Sequence, residues 1–382
     1  MNKFIISYGT RPELHKLWPL IVQLRRNGAQ VYVVCTGQHS TLLRLSEDAL
    51  GIHPDVNFWS MSPDQTLIES AGRLLMKAAE WATPAYGEPG GPLPERFDAW
   101  IVQGDTTSAL TMAIAGRYAG LPVVHVEAGL RSFDDLNPFP EEINRRAISA
   151  LATMHFAPTP GAAANLRNEG VPEDRIWVVG NTELDATSMA LDLQPGSRFP
   201  QTEGQKYVVV TAHRRESIGM GLREITKAII QLAEMHADTP FYFLLHPNPE
   251  VAASMTGELQ GAPENLLKIA PLDFVSMTHL LAGAHLVATD SGGLQESCPF
   301  LGVPVIVLRD VTERPEGVEV GLAILGGRSR KTILPAFEAL FGDTPLRTKA
   351  ECAINPYGEG DSAERIAREL LGISRASTGG GR

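Results

Sequence analysis

The stretch WIVQGDTTSALTMAIAGRYAGLPVVHV at residues 100–126 decides the fold. Trp100–Gln103 and Val123–Val126 are short apolar runs of the kind that form fully buried strands. Thr107–Tyr118, between them, carries helical spacing. A buried strand, a helix and a second buried strand are the repeating piece of a parallel sheet with helices on both faces. Working outward, Phe4–Tyr8, Val31–Thr36 and His155–Ala157 read as strands of the same sheet, with Leu17, Ile21 and Leu24 marking a helix. The alternation then restarts with Tyr207–Thr211, Tyr242–Leu245, His285–Thr289 and Pro304–Leu308. The stretch from Val178 to Phe199, with Pro195 and Gly196 and followed by Pro200, reads as the linker.

The expectation is therefore an α/β chain of two Rossmann-like, doubly wound domains, residues 1–180 and 181–360. Such sheets bind ligands beyond the carboxyl ends of their strands, so two facing sheets would line one central cleft. Ser362–Leu371 is a short helix, and residues 361–373 are expected to return to the first domain. Residues 374–382 read as a disordered tail, and Pro84–Pro94 as a surface loop.

A length of 382 residues fits two domains, and a net charge of −11 argues against a nucleic-acid surface. An anionic small ligand stays compatible, because local Arg and backbone N–H groups can hold a phosphate in an acidic protein. Cys35, Cys298 and Cys352 make no CxxC pair, so neither a disulfide framework nor a zinc site is expected. Cys35 and Cys298 read as small core residues. No apolar run approaches membrane-spanning length and no signal peptide is apparent, so a cytoplasmic protein is expected.

The chemistry-bearing residues cluster at strand ends. Gly9-Thr10-Arg11-Pro12-Glu13 opens a helix, with Arg11 placed for a phosphate or simply for a turn. In Gly104-Asp105-Thr106, Asp105 is either the N-cap of the next helix or a cleft carboxylate. Glu127 follows Val-Val-His-Val as an isolated, partly desolvated carboxylate suited to proton exchange, or it pairs with Arg131. Glu141 and Glu142 open a helix where the dipole favours acids, so one of the two has a structural reason to be there. His213, Arg214 and Arg215 put cations at a strand end, where a phosphate would offset their conflict with the helix dipole. Ser291-Gly292-Gly293 reads as a phosphate cradle, with Glu296 one turn on for ribose hydroxyls. The loop from Arg309 to Glu316, with Arg314, adds polar groups to the same rim.

Together these segments resemble the non-hydrolysing UDP-N-acetylglucosamine 2-epimerase family. The matching pieces are GTRPE at 9–13, TGQH at 36–39, GDT at 104–106, HVEAGLR at 125–131 and PFPEEINRR at 138–146. They continue with GNTELDA at 180–186, TAHRRE at 211–216, TDSGG at 289–293 and TERPEGVE at 312–319. Their number and order make the resemblance specific. It implies a glycosyltransferase-B-like fold, UDP bound mainly by the second domain, and a homodimer. By motif position it implies an active-site set of Arg11, Lys16, Asp105, Glu127, Glu141 and His213. It implies UDP contacts at Arg11, His213, Ser291, Gly292, Gly293, Glu296 and Arg314.

The implied reaction inverts C2 of UDP-N-acetylglucosamine through loss of UDP, a glycal intermediate and re-addition. No metal, nicotinamide or other cofactor is needed, and neither nucleic acid nor a membrane is an expected partner. Rival readings are a hydrolysing 2-epimerase, an epimerase of a UDP-diacetamido-uronic acid, a glycosyltransferase of the same fold, and a silent UDP-sugar binder. Leu45 and Asp64 replace polar residues associated with substrate activation at a second site, and His15 beside Lys16 is an unusual neighbour for the sugar.

Overall fold

The computed structural model describes residues 1–37, 41–58, 66–82, 96–136, 138–196, 204–212, 220–246, 249–352 and 354–377. Close contacts group Met1–Met189 with Tyr357–Arg382 in one unit and Ala190–Pro356 in a second.

The first unit holds a seven-stranded, all-parallel sheet in the order β3-β2-β1-β4-β5-β6-β7. Its strands are β1 Lys3–Tyr8, β2 Gln30–Cys35, β3 Val56–Asn57, β4 Ala99–Gln103, β5 Val123–Val126, β6 Met154–Ala157 and β7 Ile176–Val178. The second unit repeats the plan with six parallel strands in the order β10-β9-β8-β11-β12-β13. These are β8 Val208–Thr211, β9 Phe241–Leu244, β10 Leu266–Ile269, β11 Leu286–Thr289, β12 Val305–Val307 and β13 Ala323–Leu325. The strand order of each sheet reverses once, between β1 and β4 and between β8 and β11. Those switch points, at the carboxyl ends of the strands, are where doubly wound sheets take ligands.

The central strands are apolar on both sides because helices cover both faces. Val208 and Val210 of β8 enter one core cluster and Val209 the other. In β4, Trp100 and Val102 pack among Ile5, Met112 and Ala113. Four strands lay outside the expected set: β3, β7, β10 and β13. All sit at or beside a sheet edge, and each carries partly buried or exposed positions that break the apolar run.

The expected linker is corrected. Its start lies in β7, and Thr182–Leu191 within it is a helix, labelled α7 below. The chain returns to the first unit at Tyr357. A helix at Ser362–Ser377, here α15, packs on α1, Arg11–Arg26. The buried Asp185 of α7 caps α15 by accepting the N–H groups of Ser362 and Ala363 at 3.2 and 2.9 Å. Because α15 runs to Ser377, the first residues of the expected tail are helical; 378–382 lie outside the described residues, as does the loop 84–94. Cys35 and Cys298 are buried and stand outside any disulfide. Among the described residues, no helix is long and apolar enough to cross a membrane.

Candidate active site

At the switch point of the first sheet, the turns after β1 and β4 are sewn together by Glu13. Thr10 is the N-cap of α1, and its Oγ1 accepts the Glu13 N–H at 3.4 Å. Glu13 reciprocates, its Oε2 accepting the Gly9 N–H at 3.1 Å and the Thr10 hydroxyl at 2.7 Å, which is a capping box. Its Oε1 accepts the Thr106 hydroxyl at 2.7 Å across the switch point. Burial pushes the Glu13 pKa up while these donors pull it down. Gly9 is needed for the approach: a Cβ there would lie 2.2 Å from Ser108 Oγ.

Arg11 opens α1 beyond this cap. His15, one turn on, is buried and pushed down to about 3 by burial and the charge of Arg11, so it is neutral at working pH. Lys16, also buried, reaches across to Glu127, with Nζ 2.6 Å from Oε1.

Glu127 follows β5 in the left-handed backbone region, φ 64°. For a residue that is not glycine this conformation costs about 1–3 kcal/mol and persists only when its surroundings hold it. Here they do. Besides Lys16, Asn181 Nδ2 donates to Oε1 at 2.9 Å and Gln103 Nε2 donates to Oε2. The expectation of an isolated carboxylate is therefore corrected, as is the alternative pairing with Arg131. That guanidinium grips Glu169 instead, Nε to Oε1 at 2.7 Å and Nη2 to Oε2 at 2.6 Å.

Asp105 is not the N-cap of the helix that follows β4. Thr106 is, its Oγ1 accepting the Ala109 N–H at 3.0 Å. The Asp105 carboxylate is freed from capping and pairs with Arg145, whose Nη2 and Nε lie 2.7 and 2.9 Å from Oδ2. Asn144 Nδ2 donates to the Asp105 carbonyl at 2.8 Å. Gly104, just before it, faces Glu127: a Cβ there would lie 3.7 Å from Oε2. The two carboxylate-bearing turns are thus neighbours.

Glu141 and Glu142 open the helix Glu141–Leu151 and divide their work. Glu142, buried, holds the loop by accepting the Ser132 and Phe133 N–H groups at 2.9 and 3.3 Å, and it pairs with Arg145 at 3.2 Å. Glu141 is half-buried and keeps one oxygen, Oε2, out of solvent with no hydrogen-bond partner among the described residues. A buried unsatisfied carboxylate oxygen is costly in a structural role and apt for a ligand.

In the second unit, Ser291, Gly292 and Gly293 follow β11 and lead into the helix Leu294–Phe300. The Ser291 N–H donates to Thr289 Oγ1 at 3.0 Å. Arg314 lies against Gly292: a Cβ there would come 2.6 Å from Nη1 and 2.8 Å from Cζ. Its Nε donates to Glu296 Oε1, and its Nη1 donates to Glu313 Oε1 at 3.0 Å. Arg309 Nη1 holds the other oxygen of Glu313 at 2.6 Å. Glu296 thus has its Oε1 on Arg314. His213, Arg214, Arg215 and Asp64 lie outside the described residues, and Leu45 is exposed.

The sequence reading missed Gln103, Asn181, Arg145 and Glu13 as members of the cluster. Gln103 and Asn181 each stand in a recognisable motif, but only the folded chain shows which carboxylate they serve. Among the described residues, no three His, Cys, Asp or Glu gather as they would around a metal ion.

Two Rossmann-like units of this plan define a glycosyltransferase-B-like fold. The crystal structure of MurG from Acinetobacter baumannii shares it, with 13% identity and a TM-score of 0.56 over 97% of this chain and 99% of that one. The family model for UDP-N-acetylglucosamine 2-epimerase matches residues 23–371, and the chain belongs to that family. The UDP-N-acetylglucosamine 2-epimerase of Yersinia pestis is 38% identical over 382 residues, 96% of this chain and 98% of the relative. The crystal structure of the Neisseria meningitidis enzyme bound to UDP-GlcNAc is 34% identical with a TM-score of 0.87, covering 97% of this chain and 99% of that one.

Proposed function

We propose that the protein interconverts UDP-N-acetylglucosamine and UDP-N-acetylmannosamine by inverting C2 of the sugar, without releasing the free sugar. Family membership supports the substrate. The observation that carries the chemistry is the pair of clamped carboxylates at the first switch point: Glu127 on Lys16 and, beside it, Asp105 on Arg145.

The C2 hydrogen of a pyranose has no adjacent carbonyl to make it acidic. The C1–O bond to UDP breaks first, its electron pair leaving with the diphosphate. The resulting oxocarbenium character at C1 makes the C2 proton removable, and a base takes it to give a glycal with a C1–C2 double bond. Protonation of C2 from the opposite face and return of the diphosphate oxygen to C1 complete the inversion. Asp105, Glu127 and Glu141 are the proton-transfer groups, each step contributing about 10²–10⁴-fold. Arg11, Lys16, His213 and Arg314 offset the charge of the departing diphosphate, with the Gly292 and Gly293 N–H groups as further donors. The proposal extends to a homodimer working in the cytoplasm.

The test is turnover of UDP-N-acetylglucosamine in deuterated water followed by NMR. The expected product is UDP-N-acetylmannosamine carrying deuterium at C2. A ring that gains no isotope refutes the mechanism, and free N-acetylmannosamine with UDP marks the hydrolysing outcome instead.

A further inference from the structure

Asn181 has no role in the scheme above, yet its geometry is the most restricted around Glu127. The residue is 1% exposed. Nδ2 donates to Glu127 Oε1 at 2.9 Å, the same oxygen that takes Lys16. The amide cannot be turned round without loss, because its Oδ1 accepts the Glu183 N–H of α7 at 3.1 Å. Nδ2 is therefore the end shown to the carboxylate. The backbone N–H of Asn181 donates to the Tyr357 carbonyl at 2.7 Å, and Tyr357 is the residue at which the chain returns to this unit. Lys16 brings charge on a flexible four-carbon stem. Asn181 brings a donor whose direction is fixed at both ends of the residue.

We propose that Asn181 is a positioning residue of the reaction, aiming the Glu127 carboxylate and setting its proton affinity from an anchor on Tyr357. The inference rests on the epimerase reading. A donor to a carboxylate favours the ionised form, so removing it raises proton affinity. Whichever limb of the pH–rate profile Glu127 governs then moves to higher pH.

The test uses the full chain with Asn181→Leu, similar in size and lacking the donor, and Asn181→Asp, the isostere. In Asn181→Leu, kcat is expected to fall about tenfold to a hundredfold, as for a lost hydrogen bond to a charged group. KM stays within about twofold, because the contact is not to the ground-state substrate. The pH limb moves up by about one unit. Asn181→Asp moves it further, because like charges then face each other. UDP affinity stays near wild type in both variants; the urea midpoint falls in Asn181→Leu, which also strips the acceptor from the Glu183 N–H, and falls less in Asn181→Asp, which keeps that acceptor. A wild-type kcat and pH profile in both variants overturns the inference. So does a loss of kcat matched by an equal loss of UDP affinity or of folded protein. If Asn181→Leu fails to fold, Asn181→Asp decides by the same readout, and failure of both to fold assigns Asn181 to structure alone. Wild-type enzyme that places no deuterium at C2 sinks the epimerase reading; wild-type exchange beside an unmoved Asn181 profile sinks only this inference.

Discussion

Replacing Lys16 by Met should destabilise the protein strongly at pH 8 and weakly at pH 5. Lys16 and Glu127 stand 2.6 Å apart with side chains 9% and 7% exposed. At an effective dielectric constant of about 20, their gross attraction is about 6 kcal/mol. Desolvating both ions opposes most of this, so the pair itself contributes little net stability. Removing one partner is different, because the other charge stays buried, at a cost of about 3–5 kcal/mol. Gln103 and Asn181 still donate to the carboxylate and hold the cost near the lower end, about 3 kcal/mol. The carboxylate can escape by taking a proton. In the variant its folded pKa lies above the unfolded value of about 4.3, so the penalty is absent below that pH. It grows by about 1.4 kcal/mol per pH unit as pH rises toward the folded pKa. Urea unfolding of both proteins at pH 5 and pH 8 measures this. Adding Glu127→Gln should recover most of the loss, since no buried charge is then left. A cost below about 1 kcal/mol at pH 8, or one equal at both pH values, would show that the pair is not the buried contact described.

Asp105→Asn should lower kcat by about 10²-fold or more and leave UDP affinity within a few-fold, because it removes proton transfer and keeps the phosphate donors; equal losses in both would refute its role. Gly292→Ala should weaken UDP binding by about tenfold to a hundredfold, read by calorimetry, because the new Cβ displaces an Arg314 guanidinium anchored on Glu296 and Glu313; unchanged affinity would remove Arg314 from the UDP site. Stability should fall between pH 6.5 and pH 5. His15 and His125 are pushed down to about 3 and His155 to about 4, each chiefly by burial, so the unfolded chain takes their protons first. Each histidine removes about 2 kcal/mol by pH 5, and replacing His155 by Gln should flatten the slope of urea midpoint against pH.

The sheet interiors were legible because a strand covered on both faces is buried throughout and so largely apolar, as in Val123–Val126 and Val208–Thr211. The short strands at the sheet edges escaped because one side of them needs no apolar residue. The site was legible as a set of strand ends but not as a set of contacts. Asp105 and Thr106 are both good caps, and Arg145, 40 residues away, decides which of them caps. Glu127 looked isolated because Lys16 is 111 residues distant in the chain. The division of labour between Glu141 and Glu142 likewise depends on the Ser132–Phe133 turn, which no local pattern announces.

The insertion of Ala190–Pro356 inside the other unit has a consequence for how the chain matures on the ribosome. The inserted segment is continuous, and its last sheet strand is complete once Ala323–Leu325 has emerged. The surrounding unit has all its described strands by Val178, yet α1 waits for the apolar side of α15, with Ile366, Ala367 and Leu370, to be translated. Vectorial synthesis usually completes the earlier domain first. Here the later-made segment can close its core while the first-made helix still lacks a neighbour, so that helix is the surface a chaperone would meet on the nascent chain.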